Sequence, residues 1–230
     1  MNKLTTDDDI FDTLKTRLFT AVVGDVMDVL GYRQQFLPPG IAPLQPGMLV
    51  AGRAMPVLEA DVFIDERPDA PGPLANKPFG LMLEALDDLR PGEVYMATGA
   101  SLNYALWGGL MSTRAVHLKA AGAILDGFVR DSREIESLGF PTFCRGVYAQ
   151  DQGVRGKVLD FRTSIVIGNV RIRPGDLVFG DREGVLVIPR EIESEVLHKA
   201  LEKASTENRV AVAISQGMGA CEAFSSFGVM

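Results

Sequence analysis

Apolar positions along this chain repeat with two different periods, and the changes of period divide it into elements. Ile10, Phe11, Leu14 and Leu18 recur every three or four residues behind Asp7-Asp8-Asp9. That spacing places them on one helical face, and acids suit a helix N-terminus because its free amides carry partial positive charge. TAVVGDVMDVLG repeats the pattern through Val22, Val23, Val26 and Leu30, with Gly31 as the expected stop. Toward the other end, Ile192, Val196, Leu197, Ala200, Leu201 and Ala204 predict one long helix over about 191–216.

Between these ends the pattern shortens. Residues 48–62, MLVAGRAMPVLEADV, read as strand, broken by Gly52 and Pro56. FLPPGIAPLQPG and the Pro-rich run over 65–78 read as loops, and residues 80–89 as a short helix. IVIGNVRI predicts a hairpin turning at Gly168-Asn169, and GVLVIP a fully apolar strand. RPGEVYMATG and RPGDLVFGDREG echo each other, which the usefulness of Pro-Gly as a strand-initiating turn explains without an internal duplication. No linker divides the chain, so residues 1–230 are expected to form one α/β domain, with helices at about 7–31 and at the C-terminal end.

Composition narrows the function. The chain has 230 residues, 47% hydrophobic and 23% charged, with a net charge of −7 and no basic stripe, which argues against nucleic-acid binding. No apolar run reaches the roughly 18 residues of a membrane span, and MNKLTTDDDI lacks the apolar segment of a signal peptide. Two cysteines, Cys144 and Cys221, form no framework, so a cytoplasmic setting is expected. His117 and His198 are too few for a His-rich zinc site. Met27, Met48, Met82, Met96 and Met111 read as core filler. Neither GxGxxG nor GxxxxGK[ST] occurs, and the lysines sit in polar or helical contexts that do not suit a Schiff-base nucleophile.

Candidate chemistry gathers in residues 99–146. Trp107-Gly108-Gly109 leads into a helical pattern expected to start near Leu110 and to stop at Gly122. A helix start offers unpartnered amides, and glycine lets an anion approach them closely. AILDGFV (123–129) then reads as a strand that ends at Arg130-Asp131, followed by Ser132 as N-cap of a short helix through Leu138. A guanidinium grips a carboxylate through paired hydrogen bonds, and a carboxylate holds a hard cation such as Mg²⁺. Spacing alone leaves the alternative that Arg130 and Asp131 cap the helix that follows Ser132 and pair with neighbouring charges. Asp126 reads as a structural carboxylate shaping the approach to Arg130.

WGGLMSTRAVHLKAAGAILDGFVRDSREIESLGFPTFCRG (107–146) resembles the family that joins 4-hydroxy-4-methyl-2-oxoglutarate aldolases to the regulator of ribonuclease E activity A, the RraA-like family. TAVVGDVMDVLG, VAGRAMPV, RPGEVYMATG and RPGDLVFGDREGVLVIPR extend the likeness over most of residues 20–210. The resemblance implies a layered β/β/α sandwich of the swivelling-domain type, assembled as a homotrimer or hexamer with sites between subunits. It implies a lyase dependent on Mg²⁺ or Mn²⁺ that acts on pyruvate-derived 2-oxo acids, by retro-aldol cleavage or oxaloacetate decarboxylation, through a metal-stabilised pyruvate enolate. Carried over, Arg130 clamps the substrate, Asp131 binds the metal, and Gly108, Gly109, Leu110 and Met111 form the substrate-binding turn, with the Leu110 and Met111 amides on the carboxylate. Glu207 lies near a position where a neighbouring subunit contributes a glutamate, and it reads equally well as a solvated helix carboxylate.

One position departs from the pattern. The aldolases carry an acid immediately before the two amide donors, where it orders a metal-bound water, and this chain has Gly109. Restoring an acid there is expected to raise aldol cleavage. The rival expectation is a non-catalytic protein-binding regulator, since the same family contains an inhibitor of ribonuclease E.

Overall fold

The computed structural model describes residues 6–62, 74 and 77–229. The Pro-rich run expected over 65–78 lies outside the described residues except for Leu74, Lys77 and Pro78.

Helix α1 (Asp7–Arg17) opens with a reciprocal cap: Asp9 N–H donates to Thr6 Oγ1 at 3.2 Å, and Thr6 N–H donates to Asp9 Oδ2 at 3.3 Å. Helix α2 (Thr20–Val29) follows, then the two-residue strand β1 (Ala42–Pro43) and the long strand β2 (Val50–Asp61). After α3 (Met82–Asp87) come β3 (Glu93–Thr98), β4 (Ala105–Trp107) and α4 (Gly109–His117). Next are β5 (Gly122–Leu125), β6 (Phe128–Val129), α5 (Ser132–Leu138), β7 (Thr142–Cys144) and β8 (Gly146–Val147). The chain continues through β9 (Gly156–Phe161), the hairpin β10 (Ile165–Ile167) and β11 (Val170–Ile172), then β12 (Leu177–Asp181) and β13 (Gly184–Ile188). A 3-10 turn (Arg190–Ile192) leads into α6 (Glu193–Ser215) and α7 (Ala220–Phe227).

The main sheet runs β1-β7-β5-β3-β2-β12-β13, with β9 also paired to β2. Strands β2, β3, β5 and β7 are mutually parallel, whereas β12 and β13 are antiparallel to their neighbours. Leu37 N–H donates to Val185 O at 2.8 Å, and Val187 N–H to Gln35 O at 3.0 Å, so the segment entering β1 covers the β13 edge and the sheet nearly closes.

Alternation along the strands sorts the apolar residues into three cores. Val50, Ala54, Val94, Met96, Ile124, Phe143, Val178, Val185 and Val187 fill the sheet's concave interior, with the β10–β11 hairpin packed into the same core. Ala51, Leu177, Phe179, Leu186 and Ile188 point outward beneath α1, α2 and α6. Met55, Val57, Tyr95, Ala97, Ala123 and Leu125 point outward beneath α3, α4 and α5. Each fully buried Val, Leu, Ile, Phe or Met contributes roughly 1.5–3 kcal/mol, so one period-two pattern supports both faces.

Several sequence expectations need correction. Neither Gly52 nor Pro56 breaks β2. Pro56 pairs with Met96 of β3, while on β2's other side β12 pairs with residues 50–53 and β9 with residues 57–61. Pro56 sits at the handover, where its missing N–H leaves no ladder bond unmade. Residues 123–129 are two strands in two sheets, because the chain leaves the main sheet at Asp126-Gly127. The long C-terminal helix begins at Glu193 rather than 191, after the 3-10 turn, and α7 follows it. Gly122 does not end α4: the helix caps at Leu118, Lys119 turns left-handed at φ 60°, and Gly122 opens β5. The Pro-Gly echo is one turn used twice. Glu93 accepts from Arg90 N–H, Asp176 accepts from Arg173 N–H, and Gly92 and Gly175 both have positive φ.

Candidate active site

The site is built by the smaller sheet, in which β4, β6 and β8 run parallel in that order. Each strand ends by releasing a loop on the same side. Strand β4 delivers Gly108-Gly109 and the start of α4, β6 delivers Arg130-Asp131, and β8 leads to Asp151-Gln152. Carboxyl ends of parallel strands are where open α/β sheets place ligand sites, since successive loops converge there.

The Gly108-Gly109 turn is held from below by Trp107. Its indole is buried, stacks on Phe140 with centroids 6.0 Å apart, and donates from Nε1 to Ser112 Oγ at 2.7 Å. Ser112 Oγ in turn donates to Gly108 O at 3.1 Å. Helix α4 starts at Gly109, one residue before the expected Leu110, with Gly108 as its cap residue. Leu110 and Met111 are therefore in its first turn, where amides have no carbonyl four residues back within the helix.

Arg130 and Asp131 face this helix start. Arg130 N–H donates to Trp107 O at 2.9 Å, which fixes the end of β6 against β4. Asp131 has φ 55° and ψ 38°, a left-handed conformation that non-glycine residues rarely adopt. It is also the true N-cap residue of α5, in place of the expected Ser132, and its carboxylate does not cap that helix. Instead Asp131 Oδ2 accepts from Gly109 N–H at 3.1 Å and lies 3.5 Å from Arg130 Nε. The left-handed turn thus swings the carboxylate away from its own helix onto the neighbouring one. The capping half of the alternative fails on that geometry, whereas its pairing with neighbouring charges is present, through the Arg130–Asp131 and Arg130–Asp151 contacts.

Glycine at both positions leaves room for the neighbouring carboxylates as they lie here, and a side chain at either would have to move a carboxylate end aside. A Cβ on Gly108 would lie 2.8 Å from Asp131 Oδ2, and one on Gly109 would lie 1.9 Å from Glu134 Oε2.

Asp151 is a site residue that the sequence reading missed. Its Oδ1 accepts from Arg130 Nη1 at 2.6 Å, and its Oδ2 from Gly153 N–H at 2.9 Å. The one local signal was the Asp-Gln-Gly turn, an Asp positioned to bond the backbone two residues on. Arg130 keeps Nη2 uncommitted among the described residues. Phe79, Met82, Leu86, Leu106, Trp107 and Met111 wall the cavity of about 290 Å³ onto which Arg130, Asp131 and Asp151 open. Apolar walls with a few convergent polar groups suit a small organic acid. Met27, Met48 and Met96 are buried as expected, Met82 is buried and also lines the cavity, and the half-buried Met111 lines it while packing against the same core.

Behind Asp151, Gln152 Nε2 donates to Glu59 Oε2 at 3.0 Å. Burial pushes the Glu59 carboxyl up to about 8, and among the described residues neither its Oε1 nor the buried Tyr95 hydroxyl has a hydrogen-bond partner. Asp126 is the structural carboxylate expected of it. It accepts from Thr98 Oγ1 at 2.9 Å and from Arg145 Nε at 2.7 Å, pinning the point where the chain changes sheets. Glu207 is not brought to the cavity within one chain. It lies on α6 in the opposite helix layer, paired with Lys203, which also binds Asp25 of α2. His117 and His198 are both exposed, and among the described residues no group of three His, Cys, Asp or Glu side chains could hold a metal by itself.

No helix among the described residues is long and apolar enough to cross a membrane. Comparison with known proteins places the chain. The RraA-like family profile, described as Aldolase/RraA, matches residues 20–187. A protein of Halalkalibacterium halodurans, named provisionally as a 4-hydroxy-4-methyl-2-oxoglutarate aldolase, is 35% identical over 144 residues, covering 62% of this chain and 68% of that protein. Protein DlpA of Legionella pneumophila is 28% identical over 199 residues, so the chain has a counterpart for 86% of its length but spans only 30% of DlpA. The crystal structure of Streptomyces coelicolor RraAS2, an unusual member of the RNase ES inhibitor RraA protein family, superposes with a TM-score of 0.75 at 22% identity. That match covers 93% of this chain and 98% of RraAS2, and it carries the fold alone. A profile match across most of the chain, with the same fold, means that this protein belongs to the RraA-like family.

Proposed function

We propose that the chain is a lyase acting on pyruvate-derived 2-oxo acids with the help of a divalent cation. The observation that carries this reading is the meeting of Arg130 and Asp131 with the first turn of α4 on a small apolar-walled cavity. The Leu110 and Met111 amides and the uncommitted Nη2 of Arg130 are donors suited to a 2-oxo carboxylate. Asp151 holds the other edge of Arg130 and sets its plane.

The donor set fits a hard cation that keeps several waters and needs only one or two carboxylates. Asp131 would hold it, since its Oδ1 is uncommitted among the described residues and all nearby anionic donors are oxygens. Mg²⁺ or Mn²⁺ there would act as a Lewis acid on the 2-oxo group. The chain's own residues bind and orient the acid, and Arg130 with the α4 amides opposes the negative charge that develops as pyruvate enolate forms. Glu207 enters this reading only through a neighbouring copy of the chain in a homo-oligomer, a trimer or hexamer.

A second reading, a protein-binding regulator, is favoured by the exposed Leu83 and Leu110 at the cavity mouth, 56% and 82% accessible. The test is pyruvate release from oxaloacetate and from 4-hydroxy-4-methyl-2-oxoglutarate, with Mg²⁺ or Mn²⁺ and with chelator. Metal-dependent release that Arg130→Ala abolishes supports the lyase. Absence of release from well-folded protein leaves the regulator.

A further inference from the structure

We infer that Glu134 is the general base for retro-aldol cleavage in this chain, which rests on the lyase reading above. Three carboxylates lie about the Gly108-Gly109 turn and Arg130, and two are committed. Asp131 accepts from Gly109 N–H and faces Arg130, and Asp151 is bound by Arg130 and Gly153 N–H. The Glu134 carboxylate has no hydrogen bond or ion pair with any described residue, yet it lies folded against the start of α4. It occupies the volume that a side chain at 109 would fill: a Cβ on Gly109 would meet Glu134 Oε2 at 1.9 Å and Cδ at 2.6 Å. With glycine at 109, the exposed Glu134 carboxylate rests beside the start of α4, next to Gly108 and Leu110 of the cavity lining; a side chain at 109 would have to push it aside. The acid that the sequence lacks at 109 is supplied from the next helix, three residues after Asp131.

The reaction needs such a group. Cleavage of a 4-hydroxy-2-oxo acid begins with loss of the 4-hydroxyl proton, which Glu134 accepts. The C3–C4 bond breaks, its electron pair passes to C3 and the 2-oxo group as enolate, and C4 becomes a carbonyl. The enolate takes a proton at C3 from solvent, and Glu134 releases its own. Decarboxylation of oxaloacetate has no hydroxyl proton to remove and so does not need Glu134.

The two reactions therefore separate the base from the rest of the site. Glu134→Gln is expected to slow release of pyruvate from 4-hydroxy-4-methyl-2-oxoglutarate at least about 100-fold, the usual scale of a lost general base. It should leave oxaloacetate decarboxylation, Mn²⁺ affinity by paramagnetic resonance and thermal stability close to wild type. Asp131→Asn should lose Mn²⁺ affinity and both reactions. Equal loss of both reactions in Glu134→Gln together with weaker Mn²⁺ binding would make Glu134 a metal ligand and overturn the assignment. Unchanged aldol cleavage, or a wild type that only decarboxylates, would overturn it while leaving the lyase standing. A wild type inert toward both compounds would remove the lyase reading and the base with it.

Discussion

Glu59→Gln makes the protein's stability less dependent on pH, and the structure sets both sign and scale. Glu59 lies on β2 at the irregularity between Leu58 and Glu59 in the pairing with β9, and it is only 2% exposed. Among the described residues its one side-chain hydrogen bond comes from Gln152 and no cation pairs with it, so desolvation alone lifts its carboxyl from an ordinary 4.5 to about 8. A folded value above the unfolded one means that the native state holds the proton more tightly. This contribution is complete below about pH 4.5, declines as pH rises, and is gone above about pH 8. At about 1.4 kcal/mol per pH unit the whole interval amounts to at most about 5 kcal/mol, and water entering the unfolded or relaxed site reduces it. Glutamine keeps the shape and an acceptor for Gln152 but has no proton to lose. Urea unfolding of both proteins at about pH 5, about pH 7 and about pH 9 gives the difference curve. Wild type should lose stability relative to the variant by several kcal/mol between the first and last of these. Parallel curves would refute the argument, because they would mean that Glu59 is ionised and paired at every pH.

Removing the Tyr95 hydroxyl, which is buried without a partner among the described residues, should leave Tyr95→Phe as stable as wild type or about 1 kcal/mol more stable in the same urea assay. Arg130→Ala should abolish metal-dependent pyruvate release with little change in melting temperature, since the side chain is over a third exposed. Gly109→Asp should not raise aldol cleavage, because the incoming acid displaces Glu134 rather than adding to it. It should cost about 0.5–1.5 kcal/mol as Glu134 takes another rotamer, and adding Glu134→Ala should remove that cost, both read by urea unfolding. A loss that Glu134→Ala does not relieve would contradict this packing.

How much of this was legible in the sequence differs between the fold and the site. The helix at Asp7, the hairpin at Gly168-Asn169 and the strand GVLVIP follow from local period and turn chemistry, which neighbours along the chain suffice to set. The resemblance of residues 107–146 named Arg130, Asp131 and the α4 amides, and the structure brings them to one cavity. Pro56 misled the reading because a proline's cost depends on which partner strand lies beside it. Asp126-Gly127 misled it because a change of sheet leaves no mark on hydrophobic period. Asp151 and Glu134 were invisible for the same reason: each acts on a residue about two dozen positions away, across a parallel pair or between helices.

The sequence by itself determined the periodic elements, the family and the residue types available for binding an acid and a cation, because those are properties of segments and of their likeness to others. Only the tertiary structure decided the commitments among them. It turned Asp131 left-handed onto the neighbouring helix, gave one edge of Arg130 to Asp151, kept Glu207 away from the cavity within the chain, and filled the space above Gly109 with Glu134. These choices depend on distances between loops released by different strands, and no local pattern encodes such distances.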